Sequence, residues 1–176
     1  MSFKITHVGL EDDVVASLAA LMVSVVADDG SIGFLHPLSL EASARYWRDA
    51  LGDPGRMVFV AWRAGDVVGT VTLFLNTPQN QLHRAEIWKM MVVPTARRAG
   101  VAAALLHAAE EAARQRGRTL LNLDTLRGGP ASHLYERLGW TRVGDIPDYA
   151  LTPLGEIAAT MIYFKALSEQ IGRAHV

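Results

Sequence analysis

The stretch that most constrains this chain is HRAEIWKMMVVPTARRAGVAAALLHAAEEA, residues 83–112. An apolar strand pattern over 83–93 stops at Pro94, and an alanine-rich helix pattern begins at about Val101. A strand handed to a helix through a short loop is a building unit of α/β folds. Val101, Leu105, Ala109 and Ala112 share one stripe, which predicts that the helix packs on a sheet. Glu110 and Arg114 then pair at i, i+4 on its outer face. The helix runs to about Arg116 and stops at Gly117. Its start is anomalous. No Asp, Glu, Ser or Asn stands beside Val101 as a cap, and Arg97 and Arg98 precede it where the helix dipole disfavours cations by ~0.3–1 kcal/mol each. Uncapped N–H groups and two guanidinium groups together describe an anion site. Gly100 would let an oxyanion approach the main chain, and Ala102 and Ala103 keep the first turn small. The competing reading is two solvated arginines on a loop. The glycine-lysine-serine/threonine of a P-loop and the three glycines of a dinucleotide fingerprint are both missing.

The remaining elements build one domain, 1–176. FKIT is a short opening strand, and residues 11–27 carry Val14, Leu18, Leu21, Met22 and Val25 at helical spacing. Ser39 caps a helix running through Leu51, with Ala42 where a capping box would have an acid. Residues 57–62 and 67–75 form a hairpin that turns at Gly65. Residues 119–125 are a strand, Pro130 opens a short helix that ends at Leu138–Gly139, and 140–146 and 160–167 are the last strands. The order β-α-α-β-β-β-α-β-α-β-β describes an α/β fold with a mixed central sheet and helices on both faces.

Composition removes several classes of function. A net charge of −1 gives no global reason to expect nucleic acid or an anionic membrane as a partner. With no cysteine, thiolate metal sites and a cysteine nucleophile are excluded, and a reducing compartment is suited. The six histidines show no pair at metal-ligand spacing, so no metal is expected. The first residues lack the apolar core of a signal peptide, and no apolar run of about 20 residues exists, so the expected location is cytoplasmic.

MMVVPTARRAGVA (90–102) and ASHLYERLGW (131–140) are separated by a strand. They resemble the Q/R-x-x-G-x-G/A and A-x-x-x-Y-x-x-x-G-F/W motifs of the GNAT superfamily of acyl-CoA-dependent N-acyltransferases. The order of elements agrees over nearly the whole chain. SIGF, HRAEIWKMMVVPTAR, LLNLDT, YERLGWTRVGDIPDY and TPLGEIAATMIYFKAL further look like tabtoxin-resistance-type acetyltransferases, which acetylate an amine on a small amino-acid-like toxin.

The resemblance implies a GNAT-like fold and direct transfer of an acetyl group from acetyl-CoA, as cosubstrate, to a primary amine of a small molecule. It implies that strands 83–93 and 119–125 splay and that main chain at Met90, Met91 and Val92 pairs with the pantetheine arm. A main-chain N–H, that of Met91, would polarise the thioester carbonyl. Arg97, Arg98, Ala99, Gly100, Val101, Ala102 and Ala103 would cradle the pyrophosphate. An asparagine that the family often places before the second motif is replaced by Gly128. Tyr135 matches the tyrosine that meets the cofactor and protonates the departing thiolate; a phenol of ordinary pKa about 10 can donate at neutral pH. The alternative is a core tyrosine. Members of the family often dimerise, and residues 160–167 are the candidate exposed edge for a homodimer.

Attack on a thioester needs a neutral amine, so a carboxylate or water must take a proton. Asp124, ending an alternating strand, and Glu86, on the face of Trp88, are the candidates for base or ammonium anchor. Their competing readings are a turn former and a surface ion pair with Arg84 or Lys89. Lys89 either snorkels to water or holds a substrate carboxylate. Asp28 and Asp29 lead into the loop that would shape the acceptor pocket, with Phe34, Tyr46, Trp47 and Trp62 as lining or core. Two other functions remain: a non-catalytic acyl-CoA-binding sensor, and a protein or peptide amine acetyltransferase.

Overall fold

The computed structural model describes residues 2–167. The expected element order is observed: β1 (Lys4–Val8), α1 (Asp12–Ala27), α2 (Leu40–Gly52), β2 (Arg56–Arg63), β3 (Asp66–Phe74), β4 (Arg84–Val92), α3 (Val101–Gln115), β5 (Leu120–Leu126), α4 (Ser132–Arg137), β6 (Thr141–Leu151) and β7 (Ile157–Ala166). Local signals place several boundaries where expected. Ser39 accepts a hydrogen bond from Ala42 N at the head of α2. Ala64 and Gly65 both have positive φ in the β2–β3 turn, as a two-residue hairpin of matching twist requires.

The strands form one seven-stranded sheet in the order β1-β2-β3-β4-β5-β7-β6. β4 and β5 are parallel; the other neighbours are antiparallel. Alternation along β2 separates two cores. Phe59 and Ala61 join α3 on one side, while Val58 and Val60 join α1 and α2 on the other.

Three expectations change. Residues 160–167 are not an edge: β7 lies between β5 and β6, and β6 is the terminal strand. Pairing both neighbours gives β7 buried Met161 and Tyr163. β6 and β7 also extend well beyond 140–146 and 160–167, pairing out to Leu151 and Ile157. Second, Glu110 is 2% exposed rather than on an outer face. Its carboxylate accepts a hydrogen bond from Lys165 Nζ at 2.8 Å, and Arg114 stands farther off at 4.0 Å. The cation that turns Glu110 inward comes from β7, which no helical spacing could indicate. Third, α4 begins at Ser132, two residues past Pro130.

Candidate functional site

The site is built where β4 and β5 part. Their pairing is confined to Arg84–Leu120, Ala85–Leu121 and Glu86–Asn122, although β4 continues to Val92 and β5 to Leu126. β5 remains in register with β7 along its length, and β4 resumes pairing with β3, so a wedge opens between the two parallel strands. The cause lies in β4. Thr72 stands opposite Trp88 but Thr70 stands opposite Met91, leaving one extra residue in β4, and Lys89 has a φ of 52°. A bulge of this kind bends its strand and redirects a side chain. Trp88 stacks on Phe74 at 3.9 Å, and Lys89 follows it onto the face covered by α1 and α2.

The register also says which main-chain groups face the wedge. Val93 N donates to Val68 O, so Met91–Thr70 is the next hydrogen-bonded pair and Val92–Gly69 is not. The Met91 N–H therefore points to β3, and the Val92 N–H points into the wedge. The expectation that Met91 supplies the polarising N–H is corrected on this ground. Tight packing supports the bend: a Cβ on Gly69 would lie 2.9 Å from Met91 O and within 3.2 Å of Val101 and Leu105 side-chain carbons. Sequence reading passed over Gly69; its signal was a lone glycine inside a strand pattern.

α3 begins at the mouth of this wedge. Gly100 is its N-cap residue at φ 80°, with no side-chain cap. Ala104 N bonds to Gly100 O, so the N–H groups of Val101, Ala102 and Ala103 precede the intrahelical ladder. A Cβ on Gly100 would meet nothing within 4 Å. The glycine thus answers to its left-handed φ, not to crowding. Arg98, exposed, also has a positive φ of 61°. Arg97 is turned away from the helix axis: its Nη2 lies 3.4 Å from Asp28 Oδ2, and its Nε donates to Val92 O. This pair joins the loop before α3 to the end of α1, a contact between two stretches that the sequence treated separately. Asp29 follows with a φ of 59°.

Asp124 and Lys89 lie on the α1/α2 face, whereas Tyr135 belongs to the core on the α3 side. Asp124 accepts a hydrogen bond from Thr160 Oγ1 at 3.1 Å and is otherwise exposed. Lys89 Nζ lies 5.7 Å from the Phe34 ring centre and 5.3 Å from that of Tyr46. Burial lowers its pKa, Asp124 opposes that shift, and Arg56 adds to it. Lys89 is therefore half-buried in an aromatic corner. Tyr135 is buried between Trp140 and Tyr163. Burial pushes its hydroxyl pKa far above the ordinary phenol value, and Asp124 and Tyr163 add to the rise. Asp124 is thus the charge felt by both Lys89 and Tyr135.

Other expected residues are differently placed. Glu86 receives Arg84 Nη1 at 2.6 Å on one oxygen and Trp88 Nε1 at 2.8 Å on the other, so both oxygens are engaged. Trp47 is fully buried against α1 and the sheet, and does not line a pocket. Trp62 donates to Thr6 Oγ1 and belongs to the β1 side of the sheet. The loop carrying Phe34 is tied across the face by His36 N, which donates to Pro153 O in the β6–β7 turn. An open groove of about 540 Å³ continues along the face over Arg84, Glu86, Asn122, Ile162 and Phe164.

Residues 23–140 match the description of the acetyltransferase (GNAT) family. An uncharacterised N-acetyltransferase from the hisH-hisA intergenic region of Azospirillum brasilense is 37% identical over 97 residues, which make up 54% of this chain and 58% of that protein. The fold is similar to that of ribosomal-protein-alanine N-acetyltransferase from Brucella melitensis, with a TM-score of 0.78 and 24% identity over 93% of this chain and 99% of that one. It is also similar to yncA of Salmonella typhimurium, solved with its cofactor acetyl-CoA, with a TM-score of 0.76 and 18% identity over 95% and 96% of the two chains.

Proposed function

The chain belongs to the GNAT acetyltransferase family, and from that premise we propose that it moves an acetyl group from acetyl-CoA to a primary amine of a small molecule. One observation carries this reading: the β4–β5 wedge opens beside the uncapped start of α3. An extended amide-bearing arm can pair with free strand main chain, and a pyrophosphate can occupy free helix N–H groups. Met90 and Val92 border the wedge for the pantetheine arm. Gly100, Val101, Ala102 and Ala103 offer the pyrophosphate cradle, with Ala99 and Arg98 beside it and Arg97 held toward Asp28. The open space at Gly100 fits a bulky oxyanion there.

Acetyl-CoA supplies the acetyl group as a thioester; its C–S bond breaks as the amide C–N bond forms. This chain's residues then have separable tasks. Asp124 receives a proton from the acceptor's ammonium group. Tyr135 keeps its hydroxyl proton through neutral pH and delivers it to the departing sulfur. Glu86, bound by Arg84 and Trp88, shapes the acceptor face more than it moves protons. Holding amine and thioester together supplies much of the rate.

A small, amino-acid-like acceptor is supported by the resemblance to tabtoxin-resistance-type enzymes and by the loop after Asp28 and Asp29. That loop brings Phe34 to Lys89 and crosses to Pro153. A loop anchored across the face in this way narrows the approach and suits a small molecule better than a peptide. The presence of Tyr135 within the electrostatic reach of Asp124 favours turnover over a silent acyl-CoA sensor. The test is release of free thiol from acetyl-CoA across a panel of small amines and short peptides. Amine-dependent release is expected with small amines; binding of CoA with no release on any amine overturns the enzyme reading.

A further inference from the structure

Three polar groups on the α1/α2 face lie beside the acceptor site without a partner that suits them. Lys89 Nζ is partly buried against Phe34 and Tyr46, with no carboxylate within ion-pair distance among the described residues. The Arg56 guanidinium lies 5.6 Å from the Trp88 ring centre and 5.7 Å from that of Phe74. Its Nε lies at ion-pair distance, 3.1 Å, from Asp53 Oδ2 without an aligned hydrogen bond. That carboxylate is itself shared with both Asn76 and Gly55 N. The Tyr46 hydroxyl is buried against Arg56, whose charge and side-chain contact oppose the rise that burial gives its pKa, and it finds no other partner among the described residues. A second buried hydroxyl, Thr72 Oγ1, stands cross-strand from Trp88 and also lacks a partner.

This arrangement is costly as it stands. A buried hydroxyl short of a partner is unfavourable, and Arg56 and Lys89 repel each other across this face. The cations cannot be recognising a positive ligand, because they already occupy the aromatic faces. An anion reverses every one of these costs: it neutralises the repulsion, accepts from the hydroxyl and takes the unused guanidinium nitrogens in a forked pair. We propose that Arg56, Lys89 and Tyr46 form a carboxylate subsite within the acceptor pocket. The preferred acceptor therefore carries a carboxylate as well as the amine presented to Asp124. This rests on the acetyltransferase reading above and narrows it to zwitterionic amines. Asp124, Asp53 and Glu86 are the acidic groups of the region, and both oxygens of Glu86 are taken by Arg84 and Trp88. Asp124 faces the amine end, and Asp53 is held by Asn76, Gly55 and Arg56, so none of the three fills the subsite.

The experiment compares L-amino acids with their primary amides, which keep the amine and side chain but lose the negative charge. Wild-type enzyme is expected to favour the acids by about 10²-fold in kcat/KM, the scale of charge-assisted hydrogen bonds exchanged for neutral ones. Lys89→Met and Arg56→Met should collapse that ratio toward unity, through KM of the acid. Arg56→Lys should recover part of it, which a folding defect would not do. Equal use of acids and amides by the wild type overturns the subsite. If no amine of either kind is turned over while acetyl-CoA binds, the activity reading fails, and the subsite is judged by calorimetry on CoA-bound protein. Binding of the amino acid but not its amide, lost in Arg56→Met, supports it; equal binding or none overturns it.

Discussion

Tyr135 illustrates how environment decides what one residue can do. The same phenol on a solvent-facing helix would titrate near pH 10. Here burial under Trp140 and Tyr163, with Asp124 nearby, keeps the proton on at any physiological pH. Tyr135→Phe should lower kcat by ~10²-fold or more while changing KM for acetyl-CoA far less. Steady-state kinetics checks this, and a wild-type rate would remove Tyr135 as the acid. The same shift bears on stability. Tyr46, Tyr135 and Tyr163 all have raised folded-state pKa values. A raised value stabilises fully below the unfolded pKa and is lost as pH climbs toward the folded one. Urea midpoints should therefore fall above pH ~10, and fall less steeply in Tyr135→Phe, because one contributing phenol is gone.

At the scale of elements, two contacts hold the site together from behind. The first is the approach of β3 to β4 and α3 at Gly69. Gly69→Ala would press a methyl group 2.9 Å from Met91 O, where backbone cannot swing aside. A loss of ~1–3 kcal/mol in denaturant unfolding is expected, as for other overpacked cores. The second is the buried pair between α3 and β7. Lys165 Nζ binds Glu110 Oε1 at 2.8 Å and Leu138 O at 2.7 Å, and so ties α3 and β7 to the end of α4, the helix that carries Tyr135. Lys165→Met leaves a carboxylate that is 2% exposed without its hydrogen-bonded cation, with only Arg114 at 4.0 Å and His107 at 3.7 Å near it. It should cost ~3–5 kcal/mol, and adding Glu110→Leu should return most of it. Chemical denaturation of the two variants measures both numbers.

For the whole molecule, the two halves of the sheet are joined at β4 and β5 by only three paired positions. A ligand that pairs with both strands and seats on α3 adds contacts across this seam in the folded state only. Thermal unfolding should therefore rise with CoA, by ~2.7 kcal/mol of stability at a hundredfold excess over Kd. Gly100→Glu should abolish the rise. It places a carboxylate before the helix start and a side chain at φ 80°, which itself costs about 1 kcal/mol. An unchanged shift in that variant would remove the pyrophosphate assignment.

Sequence alone determined what depends on neighbours along the chain. Strand and helix periods, the Ser39 cap, the β2–β3 turn and the absence of a cap at Val101 are all local, and each stands in the structure as the residues imply. The two motifs led to the family for the same reason, since each lies within one loop and one helix. Tertiary structure decided whatever joins distant segments. The bulge that turns Lys89 toward Phe34 and Tyr46 depends on the register with β3. The inward turn of Glu110 depends on a lysine 55 residues away, and Arg97 pairs with an aspartate, Asp28, 69 residues away. Charges and hydroxyls take their roles from what surrounds them, and only folding brings those surroundings together.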